Sequence, residues 1–314
     1  MQIISITRWE DETGITLDEV EKKLLEKHVD DISDNTIRYI NWSIEKKLQN
    51  KKIEKYNGKE VDYKLFEYSV DLIPVGVEEI DDDNVSAKTG FVIVYSVNKG
   101  KVRYVINRNS GAQSLLRKML SYDKKGEIVQ KNVKFTADNF IWLISKVYNN
   151  ENVLEGGSED LQDLTIDTIR GFKGNTEDLL TTVSTEGETV INIISTLSFL
   201  IESRNLRQIN VGLAYKEHSN IEVTIYDRNK ISINVDRYMG DLLTSDQYEM
   251  ILKIVLTLYL EIITIIIQNY QNDVEMGLWN KNKCVDFLQS VAENLQEKVK
   301  NRIEELKETP DLLT

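Results

Sequence analysis

One stretch of the chain, residues 250–268, restricts the possible folds most strongly because it is apolar on nearly every side. Its few polar residues recur at spacings of four, four, three and four; they are Lys253, Thr257, Glu261, Thr264 and Gln268. At about 100° per residue, these positions form one narrow strip along a helix. We therefore predict a core helix that is buried on its other sides and whose polar strip faces either solvent or a pocket.

A membrane-spanning helix at 250–267 is the alternative interpretation, since about 20 apolar residues span a bilayer. Lys253 and Glu261 disfavour it, because a charged side chain at the centre of a membrane helix costs about 2.5 to 3.5 kcal/mol. We expect no membrane attachment. The start of the chain, MQIISITRW, lacks a basic region followed by a long apolar run, so we also expect no signal peptide.

The residues before the apolar helix predict a small sheet. Three short runs alternate apolar and polar residues; they cover 208–215, 220–227 and 230–236. Such alternation is typical of an antiparallel meander with one buried face and one wet face. In the middle run, the predicted wet face carries Glu222, Thr224 and Tyr226.

Capping-box pairs predict where two C-terminal helices begin. Thr185 with Glu188 predicts a helix that runs to about residue 203, before the meander, and Thr244 with Gln247 predicts the start of the apolar helix. A last, highly charged helix is predicted from about residue 281 to 307. Its apolar residues are expected to dock onto its own domain, with a dimer interface as the alternative.

The N-terminal half predicts strands and helices in mixed order. The predicted strands lie at 2–7 and 61–73 and in a hairpin of 91–97 and 101–107, joined by Asn98, Lys99 and Gly100. Predicted helices begin at Thr16, Asp34, Ser110 and Thr136. In the second of these, Ile37, Ile40, Ile44 and Leu48 lie on one helical stripe.

A change of composition between residues 149 and 162, towards Asn, Glu, Gly, Ser and Asp, predicts a boundary between domains at 1–150 and 163–314. The predicted fold class is α+β. We expect two packed parts, each a small and mostly antiparallel sheet flanked by helices, with the long apolar and charged helices at the C-terminal end.

Composition narrows the function classes. A net charge of -13 and a pI near 4.9 argue against a surface that binds nucleic acid throughout, although a local basic patch stays possible. A single cysteine and two histidines exclude a disulfide framework and a cysteine- or histidine-rich metal site. We expect a cytoplasmic protein, and the abundance of Ile, Lys and Asn suggests a bacterial source.

The first candidate site is Glu60, Asp62 and Lys64, which alternation places on one face of a strand. Two carboxylates followed by a lysine can hold a divalent cation and polarise an attacking water. The spacing of Asp62 and Lys64 resembles the D-x-K element of restriction-endonuclease-like nucleases. The resemblance covers only these few residues and implies Mg²⁺-dependent cleavage of nucleic acid. The alternative is the wet face of a strand.

The second candidate sites are turns that could bind phosphate or nucleic acid. Arg170 and Lys173 lie in the segment 169–180, which has two glycines and a helix start near Thr176, where free N–H groups favour anions. A further strand-to-helix turn supplies Arg108, Ser110, Arg117 and Lys118. The alternative for both places is a structural turn followed by a capped helix.

No complete catalytic constellation is evident, so we expect a non-enzymatic interaction or regulatory subunit of a larger bacterial assembly, by analogy from anti-phage defence or a mobile element. It would have a protein partner or form a homo-oligomer, and we expect no cofactor. The alternatives are a metal-dependent nuclease or nucleic-acid-binding protein of such a system, with Mg²⁺ only in the nuclease, and an acidic inhibitor that mimics nucleic acid.

Overall fold

The structure is a computed structural model that describes residues 2–26, 31–33, 37–48, 52–76, 85–131, 134–174 and 206–308. Two predicted features lie outside these ranges: the helix at 185–203 and the helix start near Thr176. The described part is α+β, as predicted.

The strands are β1 (Ile3–Asp11), β2 (Asp31–Ser33), β3 (Ile37–Lys46), β4 (Lys52–Tyr56), β5 (Lys59–Pro74), β6 (Ser86–Val97), β7 (Val102–Ile106), β8 (Ile128–Val129), β9 (Val153–Leu154), β10 (Leu164–Gly174), β11 (Leu206–Tyr215), β12 (His218–Tyr226), β13 (Lys230–Asn234) and β14 (Met239–Gly240). The helices are α1 (Leu17–Leu25), α2 (Ala112–Met119), α3 (Ala137–Tyr148), α4 (Gln247–Thr257), α5 (Ile263–Glu275) and α6 (Lys281–Glu308), with a π-helical turn at Leu258–Ile262 between α4 and α5.

The fourteen strands of the described residues belong to one sheet whose main order is β2-β3-β5-β6-β7-β1-β13-β12-β11-β10-β9. The pairings whose register is described are antiparallel. Two small sheets are therefore not confirmed. Alternation within a run identifies a strand but does not say which other run it pairs with, and that information lies in the tertiary structure.

The chain divides into two compact units. The first comprises 1–133, 229–232 and 244–261, and the second comprises 134–228, 233–243 and 262–314. The predicted domains, 1–150 and 163–314, concern independent folding and stay a prediction.

Strand β3 corrects the predicted helix that began at Asp34. Ile40 pairs with Asp71 and Ser43 with Ser69, so β3 has one extra residue there, and Asn41 adopts a positive φ of 53°. This β-bulge changes which residues face the core, so that Ile37 and Ile44 both pack against it. The spacing therefore resembled a helical stripe although the residues are extended.

In the first unit, several N-terminal predictions are confirmed. Thr16 caps α1 in a capping box, and Asn98 and Lys99 form the hairpin turn with φ of 49° and 55°. One core cluster joins α1 and α2 to the sheet; its fully buried members include Val20, Phe66, Val70, Tyr104, Leu115 and Met119. The side chains at even positions of β5 face this core, and those at odd positions face away from it.

The apolar stretch forms a helix, as predicted, but its start differs. Asp246 is the N-cap and accepts hydrogen bonds from the backbone of Tyr248 and Glu249, whereas Thr244 ends a preceding 3₁₀ turn. The helix at 247–275 is long and apolar enough to cross a membrane, yet 72% of its most apolar window is buried inside the protein. This burial is consistent with a core helix.

The polar strip of this helix is neither wholly wet nor wholly buried. Thr257 and Glu261 are buried, whereas Gln268 is exposed. Within the first unit, Glu261 Oε1 accepts a hydrogen bond from the Asn57 amide at 2.9 Å. The buried carboxylate thus binds a backbone donor, as a buried charge requires.

The predicted meander is confirmed as β11, β12 and β13. Ile221, Val223 and Ile225 form the buried face of β12. On the opposite face Thr224 is half-buried, but Glu222 is only 5% exposed, so this face is not uniformly wet.

Candidate functional site

The predicted metal site is occupied by an internal ion cluster. Lys64 lies on β5 with 3% of its side chain exposed, and its Nζ is 2.5 Å from both Asp18 Oδ1 and Glu21 Oε2 on α1. Burial alone would lower the pKa of Lys64, but hydrogen bonds to the two carboxylates outweigh burial and raise it. The ammonium group is therefore charged, and it is paired with the two carboxylates of α1.

The partners proposed for Lys64 do not complete a metal site. Asp62 is buried, and Glu60 is exposed at the start of β5, where its backbone N–H donates to Asn98 Oδ1 at 3.0 Å. Among the described residues, no group of three or more His, Cys, Asp or Glu is arranged to hold a metal ion. The nuclease prediction gains no support from this geometry.

The second predicted site is divided between the two ends of α2. Arg108 and Ser110 precede the helix, where Arg108 Nε donates to the Ser110 carbonyl at 2.8 Å, while Arg117 and Lys118 lie in its last turn. Eight helical residues separate the two ends by about 12 Å. The four residues therefore form two local arrangements rather than one binding site.

The segment with Arg170 and Lys173 is a strand rather than the predicted phosphate-binding turn. Up to Gly174 it forms β10 and pairs with β11, with register shifts around Thr168 and Gly171. Lys173 is exposed. Arg170 instead contacts a carboxylate that the sequence did not single out.

That carboxylate is the centre of the Glu222 cluster, defined as Arg170, Glu222, Asn234 and Arg237. Glu222 Oε2 lies 3.1 Å from Arg170 Nε, outside hydrogen-bonding alignment, and 3.3 Å from Arg237 Nη1. Its Oε1 accepts a hydrogen bond from Asn234 Nδ2 at 3.0 Å. The Glu222 side chain is 6% exposed, whereas those of Arg170 and Arg237 are 37% and 43% exposed.

Unpaired polar atoms also lie on the strands that form the cluster. Thr168 Oγ1, Asn210 Oδ1 and Asn234 Oδ1 are buried and have no hydrogen-bond partner among the described residues. Buried polar atoms without partners are rare in folded proteins, and each needs an explanation such as a ligand or a bound water. The cluster therefore combines cations that reach solvent with buried acceptors that lack donors.

A glycine on β11 lies between the strands that carry Thr168 and Glu222. Gly212 on β11 pairs with Thr168 on one side and Glu222 on the other. A Cβ at Gly212 would lie 2.7 Å from Thr168 Oγ1 and 3.1 Å from Asn220 Oδ1. Only glycine lets the polar side chains of the neighbouring strands converge here.

Sequence reasoning found Arg170 but missed Glu222 and Arg237. Glu222 was predicted merely as one residue of a wet strand face, and Arg237 lies in a 3₁₀ turn at Val235–Arg237. The only available signal was a carboxylate between apolar residues on a strand. No spacing pattern connects residues 170, 222 and 237 along the chain.

A second group of unpaired polar atoms lies in the first unit. The hydroxyls of Tyr63, Tyr95 and Tyr259 are buried and form no well-aligned hydrogen bond with the described residues, although Glu54 lies near Tyr63 and Arg8 near Tyr95. Tyr63 and Tyr95 are opposite each other on β5 and β6. Burial raises the pKa of all three phenols, which keeps them protonated and suits them to donate hydrogen bonds rather than act as bases.

No protein-family model matches this chain, and no curated protein matches its sequence.

Proposed function

We propose that this protein is a non-enzymatic interaction subunit that binds a protein partner through the distal half of α6, residues 295–308. The observation that carries the proposal is an apolar stripe on this segment that the described residues of the protein leave partly uncovered. The bacterial assembly, cytoplasmic location and anti-phage or mobile-element setting stay predictions that accompany it.

The two halves of α6 differ in burial. In the proximal half Phe287 and Val291 are buried, and the Phe287 ring packs edge-on against Tyr148 of α3 at 5.5 Å. In the distal half Val299 is 43% exposed and Ile303 is 48% exposed. The first half thus docks onto its own unit, while the second half continues as a helix in which Val299 and Ile303 are exposed to solvent.

The apolar residues of the distal half form a continuous face, in which Val299 and Ile303 are exposed and Leu295 and Leu306 are half-buried. Leu295, Val299, Ile303 and Leu306 are spaced by four, four and three residues, which places them on one side of a helix. An amphipathic helix that inserts its apolar face into a groove uses anchors at these spacings. An uncovered apolar face of this kind indicates an interaction surface.

Charge on both sides of the stripe indicates which partner fits. At 100° per residue, Lys298 and Arg302 lie along one side, where Glu305 pairs with Arg302, and Lys300 and Lys307 lie along the other. The four cations outnumber this one carboxylate, and Glu304 points away from the stripe. The complementary surface is an apolar groove with carboxylates along its rims. We therefore expect an acidic protein groove as the partner site.

The test compares two single substitutions that add the same charge on opposite faces of α6. Ile303→Glu places a carboxylate in the stripe, and Asn301→Glu places one on the exposed far side. Tagged versions of both proteins and of the unchanged protein are used to recover partners from the native host. We expect Asn301→Glu to retain the stoichiometric partner and Ile303→Glu to lose at least about tenfold of it, since interface anchors contribute about 2 kcal/mol or more.

Salt provides the second readout of the same experiment. Basic flanks opposite a carboxylate rim predict that the complex dissociates faster as ionic strength rises. Equal partner recovery with both variants, with unchanged melting temperatures, would contradict the proposal. A complex that does not respond to salt would contradict the acidic groove while leaving the helix as the contact.

A further inference from the structure

We propose that the Glu222 cluster binds the phosphate group of a nucleotide, with Arg170 and Arg237 as the phosphate-contacting residues. This activity is independent of partner binding by α6. In this site Arg170 lies on a strand and not in a phosphate-binding turn. It acts together with Arg237, which is 67 positions away in the chain (237 − 170).

The charges of the Glu222 cluster do not balance. One arginine is enough to neutralise Glu222, but two guanidinium groups surround it, so these three groups carry +1 formally (two cations minus one anion). A buried ion pair is stable when its charges balance and its hydrogen bonds are satisfied. The excess positive charge calls for an anion, and arginine pairs favour phosphate because their planar forks match its oxygens.

The two arginine side chains are accessible from solvent. Glu222 is almost fully buried, whereas Arg170 and Arg237 keep more than a third of their side chains exposed. Each guanidinium has five N–H donors, and the contact with Glu222 leaves others to point outward. The carboxylate therefore fixes the two cations from beneath without consuming their capacity to bind a ligand.

Neighbouring groups hold the Glu222 carboxylate in place. Glu222 is itself held by Asn234 Nδ2 at 3.0 Å and by the pairing of β12 with Gly212. Groups that orient a binding residue from behind contribute to affinity because they remove its conformational freedom before the ligand arrives. Glu222 and Asn234 are positioning residues in this sense.

Buried acceptors near the arginines indicate which group is attached to the phosphate. Asn210 Oδ1 and Asn234 Oδ1 are buried acceptors for which the described part of the chain supplies no donor. A phosphate carries no donor for them, whereas the hydroxyls of a ribose and the amino group of a base do. The ligand class that satisfies both the cations and the acceptors is therefore a nucleotide, either free or as a unit of a single strand.

The experiment is titration calorimetry of the full-length protein with defined probes: ADP, GDP, CDP and UDP separately, inorganic phosphate, and a ten-nucleotide single-stranded DNA of mixed sequence. We expect at least one nucleotide to bind with a stoichiometry of one, and phosphate alone to bind at least tenfold more weakly. If the DNA binds more tightly than every free nucleotide and this binding depends on Arg237, the ligand of the site is a nucleotide within a nucleic-acid strand. Absence of binding with every probe would overturn the proposal.

Arg237→Gln is the main variant, since Arg237 is exposed and its loss should not disturb the fold. We expect at least a tenfold loss of affinity. Arg207→Gln is the matched control, because Arg207 is exposed at the start of β11 and the register of that strand places it on the face opposite Asn210 and Gly212. Equal losses in the two variants would show that only general positive charge matters and would overturn the site.

Glu222→Gln separates orientation from bulk charge. The substitution makes the cluster more positive by one, so simple attraction predicts tighter binding, whereas loss of the fixed arginines predicts weaker binding by about tenfold. If this variant melts early, Arg237→Lys replaces it, since lysine keeps the charge but loses the fork. Unchanged or tighter binding in the variant that folds would count against the proposed geometry.

Discussion

Lys64 in the first compact unit and Glu222 in the second present the same arrangement with opposite signs. Lys64 is a buried cation between two carboxylates, and Glu222 is a buried carboxylate between two guanidinium groups. In both cases the central charge is almost fully buried and its partners are more exposed. The two clusters differ in how their charges balance, and this difference separates a structural ion cluster from a candidate binding site.

The Lys64 cluster is closed. Glu21 contacts Lys46 as well as Lys64, both at 2.5 Å, so two cations face two carboxylates and the formal charges cancel. The Glu222 cluster has one cation in excess, and buried acceptors lie nearby to which none of the described residues donates a hydrogen bond. A balanced cluster stabilises its own fold, whereas an unbalanced one retains the capacity to bind something else.

The largest expected effect is that of Glu222→Ala on stability. Removing the central carboxylate leaves two guanidinium groups and the Asn234 amide without their acceptor. Breaking a buried pair costs 3 to 5 kcal/mol, and since both arginines are partly exposed we expect about 3 kcal/mol. Urea unfolding measures the change, with the exposed Glu217→Ala as control; similar effects of both substitutions would show that the cluster contributes little.

Lys64→Met should cost less, about 2 kcal/mol, because methionine fills the apolar volume, Asp18 is exposed enough to regain water and Glu21 keeps Lys46. The same unfolding measurement applies, with Lys59→Met, an exposed lysine on the same strand, as control. If Lys64→Met were the more destabilising of the two central substitutions, the order of effects expected from the exposure of the remaining partners would be wrong.

The pH dependence of the Lys64 contribution is a third test. The Glu21 carboxyl has a pKa below its ordinary 4.5, because Lys46 and Lys64 outweigh the opposing effect of burial, and the pKa of Lys64 lies above its ordinary 10.5. The depressed carboxyl stabilises the fold above its unfolded pKa, and the raised amine stabilises it below its own. We expect the stability difference between the unchanged protein and Lys64→Met to be constant from about pH 5 to 10 and to shrink outside this window.

Urea unfolding of both proteins at closely spaced pH values measures this difference. A difference that stays constant from about pH 3 to 11 would show that packing, rather than ion pairing, is what Lys64 contributes.

The smallest expected effect is that of an exposed pair. Arg302 and Glu305 contact each other at 2.8 Å on α6, with more than half of each side chain in solvent. Arg302→Gln should change the unfolding free energy by no more than about 0.5 kcal/mol, since water screens exposed pairs. A loss comparable to that of Lys64→Met would mean that burial is not what distinguishes these clusters.

Several elements were predictable because their signals are local. The hairpin turn at Asn98 and Lys99, the capping box at Thr16 and the apolar helix at 247–275 each follow from residues close together in sequence. Strand β3 was predicted wrongly, because the bulge near Asn41 interrupts the alternation that identifies a strand. The rule for strands holds only while the register is regular.

The candidate site was much less predictable than the fold. Arg170 was noticed for its charge and neighbouring glycines, but its partners Glu222 and Arg237 carry no local signature. Lys64 was noticed in a pattern that metal sites use, yet α1 supplies carboxylates that claim its charge. In both cases the identity of the partner decides the chemistry, and the partner comes from a distant part of the chain.

The sequence by itself determined the α+β class, the core helix and the antiparallel runs, because hydrophobic periodicity and capping act between residues a few positions apart. Only the tertiary structure decided which strands share one sheet, which charges become buried, and which of them are balanced. These outcomes depend on contacts between residues far apart in sequence, and the energy of a buried charge is set by the groups that surround it in space.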